Sequence, residues 1–410
     1  MTAPPPEAAA LPPGTPALPP GASTTIVLLA SAGFFSGAAL RICDALLPRL
    51  ARDFGLTPGE AGRVIISFAI AYGLMQLLFG PLGDRYGKLR MVCIAMFGCA
   101  GGALACALAP GFGVLVLTRV AWGMAAAGVI PLALAWIGDT VPYEQRQATL
   151  ARLLTGTLAG MMGGQLAGGL FADTAPGWRG AFFTLAGGYA VVAVLLLARV
   201  RRLPAPAVVA GQARASFGQQ LQSVLRAPWA RAVLAAVLAE GIFLLGPMAY
   251  LPSYLHLRYG LSLSWASALV ALYAVGGLVY AILARAIVRR LGERRMVWTG
   301  GWLMGAGYLG WWLSPVGWLA GPIALGVGFG TYLFHNTLQT HATQMAPAAR
   351  GTSVALFAFC LFVGQAIGVT LSGLAFDHVG MAPPLLAPAV ALPLVGWAFA
   401  RALRRRAEAN

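Results

Sequence analysis

The chain has 410 residues, of which 59% are apolar and only 10% charged. A soluble globular domain carries about 25% charged residues, so an ordinary water-exposed fold is excluded. A net charge of +16 in so apolar a chain does not mark a nucleic-acid binder; it is the arginine load that anchors loops on one side of a lipid bilayer.

The first segment, Met1 to Ser23, is rich in Pro and Ala and lacks the basic start and short apolar core of a secretory signal. It reads as a disordered cytoplasmic tail. A bilayer core of about 30 Å takes roughly 20 apolar residues to cross as a helix. Such spans are predicted near Thr24–Leu47, Val64–Leu82, Met91–Leu108, Gly113–Trp136, Leu150–Phe171 and Ala181–Val200. A second set falls near Ala232–Leu251, Trp265–Ile287, Met296–Leu313, Trp318–Thr337, Thr352–Leu374 and Leu385–Ala400. Unpaired backbone groups are too costly in lipid, so the spans are helices. The expected fold is an all-α polytopic membrane protein of twelve transmembrane helices. Its domains are a six-helix bundle over 24–200, a linker over 201–231, a second bundle over 232–402 and a tail over 403–410. Within the linker, Phe217, Leu221 and Leu225 stand at helical spacing among glutamines. They fit either a short interfacial helix or plain connecting chain.

With both termini placed inside, 21 of the 28 basic residues fall in inner segments, five in outer ones, and Arg41 and Arg119 within spans. That asymmetry predicts a multi-pass protein of the inner (cytoplasmic) membrane with both termini in the cytoplasm.

The two halves repeat. Gly87 matches Gly292, and Asp53-Phe54-Gly55-Leu56 matches Arg258-Tyr259-Gly260-Leu261, both at an offset of 205. Arg146, Gly160, Gly164, Gly169 and Asp173 match Arg350, Gly364, Gly368, Gly373 and Asp377 at 204. Two parallel repeats around a midplane site are the architecture of a secondary transporter.

The segment Gly80-Pro81-Leu82-Gly83-Asp84-Arg85-Tyr86-Gly87-Lys88-Leu89-Arg90 resembles the loop signature of the major facilitator superfamily, G-x-L-x-D-R-x-G-R/K-x-R. Asp44-Ala45-Leu46-Leu47-Pro48 is similar to the D-x-x-x-P of its twelve-helix drug:proton antiporters. Arg119-Val120-Ala121-Trp122-Gly123 resembles the R-x-x-x-G of the fourth helix, with Trp122 in place of the usual Gln. Gly160 to Gly169 resembles the antiporter signature G-x-x-x-G-P-x-x-G-G, with Gln165 where the family has Pro. The resemblance implies the major facilitator fold, two pseudo-symmetric six-helix bundles. It also implies that the loop of Gly80, Asp84, Arg85, Gly87, Lys88 and Arg90 locks the inner gate. The residues themselves leave the loop as a simple inside anchor or, favoured by the lone acid among its basic residues, a latch in which Asp84 accepts bonds from a nearby arginine or from the start of a helix near Gly351.

Ionisable groups at lipid depth are expensive and point to function. Arg41, Asp44 and Arg119 lie within roughly 5–9 Å of the outer boundary by helical rise; Asp44 is the expected partner of Arg119 by depth, with Arg41 competing from three residues back on the same helix. Glu240 lies about 12 Å into the seventh span, which calls for a watery cavity and a substrate or proton role. His335 is either a packed or interfacial histidine or a proton site. Gln76, Gln165, Asn336 and Gln365 are polar candidates for the cavity. Gly156, Gly160, Gly164 and Gly168 recur every four residues. They form a flat stripe for simple helix packing, or for halves that rock past each other.

The four histidines and five cysteines form no metal-ligand spacing, and no nucleophile–base signature or nucleotide-binding P-loop is present. The expectation is a transporter and not an enzyme, with no metal and no cofactor, driven by a proton gradient. Its partners are a small-molecule substrate and the bilayer, and its working unit is a monomer. Export of a small amphipathic compound is the leading reading; proton-coupled uptake or exchange of an organic anion is the alternative.

Overall fold

The computed structural model describes residues 18, 21–202 and 217–409, and among these every regular element is helical. The expected N-terminal tail, apart from its last residues, and the middle of the linker lie outside the described residues.

Among the described residues, ten helical stretches are long and apolar enough to cross a membrane. They are Ala22–Phe54, Pro58–Tyr86, Lys88–Ala107, Phe112–Thr140, Gly177–Val200, Pro228–Tyr259, Leu263–Leu313, Gly317–Ala342, Arg350–His378 and Ala382–Glu408. The 51-residue stretch Leu263–Leu313 is two spans, because Gly292 breaks it with φ 68° and ψ 162°. The helix Tyr143–Asp173 completes the fifth position. It falls outside the apolar set because its glycines and Gln165 dilute the hydrophobic run. Twelve spans result, numbered here in chain order.

Turn chemistry explains the breaks. The repeat-matched glycines take the same left-handed role in both halves: Gly55 (φ 65°) and Gly260 (φ 66°) close the first and seventh spans, and Gly87 (φ 90°) and Gly292 (φ 68°) separate spans two from three and eight from nine. A side chain at these positions would be strained. Thr57 starts the second span with a full capping box to Glu60, and the Ser262 side chain caps the eighth.

Two interior irregularities matter for the site. The fourth span is interrupted between Ala126 and Val129. The seventh carries a π-helical turn over Gly241–Leu245, directly after Glu240. Such turns are rare in regular helices and frequent at functional sites.

Buried apolar side chains form two large clusters, one drawn mainly from spans one to six and the other from spans seven to twelve. Spans five and eight pack across the divide, and so do spans two and eleven. The glycine stripe lies elsewhere. A Cβ at Gly156, Gly160, Gly164 or Gly168 would strike the carbonyl of Ala30, Phe34, Ala38 or Ile42. Those four residues follow the same four-residue period on the first span. The stripe is therefore a backbone-to-backbone seam within one half: of its two readings the structure shows helix packing, and the stripe does not lie between the halves. Gly364 and Gly368 repeat the seam against Leu238 and Ile242 of the seventh span. Small residues permit this because helix association in lipid draws on close van der Waals contact.

The linker ends in a helix, Phe217–Arg226. It docks through Leu221 and Val224, and Phe217 and Leu225 stay exposed. Gln220 of this helix accepts a hydrogen bond of 2.6 Å from Thr352, at the start of the eleventh span.

Candidate transport site

A cavity of about 140 Å³ lies between the halves. The first span contributes Arg41, the seventh Glu240, the eighth Tyr273, the tenth His335 and the eleventh Gln365. Apolar walls come from Met161 and Phe362, the latter packed at a tilt against Tyr72 with ring centroids 4.4 Å apart.

Glu240 is 1% exposed. Its Oε2 and Oε1 lie 3.0 and 3.1 Å from His335 Nδ1. Glu240 thus lies in the interior against a cavity, and His335, which the sequence left as a packed or interfacial histidine or a proton site, lies beside it. His335 lies in the second half of the helix Ala320–Ala342 on the face turned toward the seventh span, and its ring also packs at a tilt 5.5 Å from that of Phe357. Sequence spacing could not pair them, because the two come from spans 95 residues apart.

On the opposite wall, Arg41 Nη1 donates to Asp44 Oδ2 at 3.2 Å, and both residues are buried. The guanidinium also lies 5.7 Å from the Tyr273 ring centroid, reaching across to the other half. Asp44 thus pairs with Arg41, and not with Arg119 as depth alone suggests. One helical turn brings Arg41 and Asp44 together. Arg119 is held elsewhere: its Nε donates to the Val64 carbonyl at 3.0 Å, and its guanidinium is stacked 4.0 Å over Phe68 and 4.9 Å from Trp122. Asp44 Oδ1 and Arg119 Nη1 are both buried without a hydrogen-bond partner.

The four amide candidates separate. Gln365 lines the cavity. Gln165 lies in a small adjoining space with Arg41, Met248 and Tyr273, its Nε2 unpaired. Gln76 sits beside Tyr72, and Asn336 beside Tyr280.

At the arginine-rich face, Asp84 lies 3.9 Å from Lys88, and Lys88 also binds Asp139 at the end of the fourth span. Arg85 lies over the Tyr86 ring at 5.2 Å, and Arg90 stands in the first turn of the third span. Gly80 has open space where a Cβ would stand.

The arginine-poor face holds a feature that the motifs did not reveal. Asp173, the last residue of the fifth span, accepts from Ser264 N and Ser264 Oγ at 2.7 Å each and from Leu263 N at 3.3 Å. Asp377, near the end of the eleventh, accepts from Thr57 Oγ1 at 2.6 Å and Gly59 N at 3.0 Å. Each carboxylate caps the first turn of a helix in the other half, where the helix dipole favours negative charge. The repeat offset of 204 was visible in the sequence, but the contact was not.

The family model of the Major Facilitator Superfamily matches residues 29–369. The chain belongs to that superfamily. It is accordingly a membrane-embedded transporter of a small solute and not an enzyme. Superfamily relatives include the gallate transporter of Pseudomonas putida, 26% identical over 66% of this chain and 67% of that one. Another is the quinolone resistance protein NorA of Staphylococcus aureus (strain MRSA252), 29% identical over 31% of this chain and 33% of its own length. Among solved superfamily structures, the D-xylose-proton symporter superposes with a TM-score of 0.73 at 14% identity, covering 92% of this chain and 96% of that one.

Proposed function

We propose that this transporter is a proton-coupled exporter of small amphipathic compounds, working by alternating access as a monomer without a cofactor. In this reading it lies in the inner membrane with both termini and the arginine-rich loops in the cytoplasm.

The observation that carries the proposal is the Glu240–His335 pair. A carboxylate at 1% exposure in a membrane span is costly to maintain. Here it faces a cavity, precedes a π-turn and has a titratable partner. That is the chemistry needed to take up and release one proton per cycle. Asp44 supplies a second switching point. In this conformation it binds Arg41, yet it leaves one oxygen unpaired while Arg119 leaves one nitrogen unpaired. A change of partner from Arg41 to Arg119 would satisfy both and rearrange the cavity wall. The Asp173 and Asp377 contacts hold the arginine-poor side shut meanwhile, so access alternates only when they break.

Export is favoured by Asp44-x-x-x-Pro48 and by the likeness to a quinolone resistance protein, since resistance is what removal of a drug confers. A second reading has its own observation. Arg41 lines the cavity, and a guanidinium fork suits a carboxylate; uptake or exchange of an organic anion would use it, in keeping with the gallate transporter relative.

The test is flux in proteoliposomes with an imposed pH gradient, using a panel of amphipathic cations and aromatic carboxylates. The proposal expects gradient-driven movement of the cations and its loss in Glu240→Gln with substrate exchange retained. Carboxylate movement that depends on Arg41 would favour the second reading. Equal flux with and without a gradient would sink proton coupling.

A further inference from the structure

The arginine-rich face holds a second cavity that the transport site does not use. It is a groove of about 1080 Å³ between the start of the ninth span and the end of the twelfth. Five arginines line it: Arg294 and Arg295 from one side, and Arg401, Arg404 and Arg405 from the other. The spacing of the last three places them on one helix face. Arg406 points away, its guanidinium 4.4 Å over the Trp229 ring, and this contact fixes the helix rotation that turns the other three inward.

The groove also contains two carboxylates, and both are engaged. Glu293 Oε2 lies 3.1 Å from His341 Nε2. Glu408 Oε1 accepts from Arg404 Nε at 2.7 Å. A surplus of three positive charges is left facing the opening.

One turn closer to the membrane centre stand Trp298 and Trp397, 47% and 50% exposed. Arg401 lies 5.5 Å over the Trp397 ring, and Trp298 pairs with Trp302 at 6.2 Å. Exposed tryptophans just beneath a row of arginines mark the boundary between headgroups and acyl chains. The groove is therefore cationic at its outer end and apolar at its inner end.

We propose that this groove binds an anionic phospholipid, the phosphodiester held by Arg294, Arg295, Arg401 and Arg405 and the acyl chains lying along Trp298 and Trp397. Guanidinium groups match phosphate geometry with two parallel bonds. Basic pockets between spans are the usual seats of acidic headgroups. A free inorganic anion would occupy a small part of such a volume and would have no use for the tryptophans. The lipid would rest on the Gly292 loop, the repeat counterpart of the Gly87 loop.

Purified full-length protein in a neutral detergent provides the test. Its unfolding temperature is followed as phosphatidylglycerol, phosphatidylcholine with the same chains, or inorganic phosphate is added. The proposal expects stabilisation by phosphatidylglycerol alone. Each arginine near an anionic headgroup contributes a factor of about five in affinity, so Arg294→Gln/Arg295→Gln/Arg405→Gln should bind phosphatidylglycerol roughly 100-fold more weakly. The matching triple lysine variant should regain most of that loss. Equal stabilisation by phosphatidylcholine overturns the proposal, as does full reproduction of the effect by phosphate. A folded glutamine variant with wild-type lipid affinity also overturns it. If the glutamine variant does not fold, the lipid comparison on the wild type and the lysine variant decides.

Discussion

The two side-chain pairs at the cavity walls are built in different ways. Arg41 and Asp44 stand one turn apart on a single helix, 3.2 Å between charged atoms. Glu240 and His335 belong to spans seven and ten, and meet only because those spans pack together. The first pair has a member that is always charged, since arginine does not lose its proton in a protein. Either member of the second pair can be neutral. Removing a carboxylate thus has opposite consequences: at Asp44 it strands a buried cation, while at Glu240 it leaves a neutral imidazole beside an amide. The first pair is suited to holding structure and changing partners, the second to carrying a proton.

The largest difference between the pairs is expected from Glu240→Gln. Gradient-driven flux should fall about 100-fold, the range in which a positioned proton-transfer group acts. The unfolding temperature should change little, because a hydrogen bond to His335 remains and its net worth is about 1 kcal/mol. Full activity with an unaltered pH profile would move the proton away from Glu240.

Asp44→Asn should reverse the balance. Leaving Arg41 without its counter-charge costs about 3 kcal/mol of stability, read as a lower unfolding temperature. Gradient-driven flux should fall roughly tenfold, with exchange at equal pH retained. A stable Asp44→Asn protein with intact gradient-driven flux would show that the pair neither holds structure nor couples.

The contacts between the halves can be weakened while both pairs are intact. Asp173→Asn and Asp377→Asn each weaken bonds to a charged acceptor worth about 1.5–3 kcal/mol. The readout is a cysteine placed at Ser253, which is buried beneath the arginine-poor face in this conformation. Together the two substitutions should raise its labelling by a membrane-impermeant thiol reagent at least about tenfold, through a larger open population. Unchanged labelling would reduce the two caps to local helix ends. The smallest effect belongs to His335→Gln, which keeps a donor for Glu240. A fewfold fall in flux is expected; a loss as large as that of Glu240→Gln would give the histidine an equal share in the proton route.

What the sequence allowed follows from the range of each interaction. Spans, breaks and repeats are local or periodic, so Gly87 and Gly292 announced the same turn before either was seen. The Arg41–Asp44 pair was within reach of helical spacing, although depth arguments directed Asp44 to Arg119 instead. Depth fixes a residue along a helix axis but not its rotation, and rotation decided that case. It decided the glycine stripe too: its period marked a close seam, but not whether the neighbour was the first span or the other half. The alternatives for His335 stayed open for the same reason, since its pairing with Glu240 depends on how the tenth span is turned. Asp173 and Asp377 appeared as repeat partners, yet their role depends on a helix start arriving from the other half.

Those two acidic caps have a consequence for symmetry. The fifth span of one half grips the eighth span of the other, and the eleventh grips the second, so each half gives one acceptor and receives one. This is the reciprocity of a twofold homodimer interface, written within a single polypeptide. A closure made this way has two locks of like design at separate points, and losing one leaves the other as a pivot. Opening is then a paired event, and single lesions at the interface should tilt the two halves before they part them.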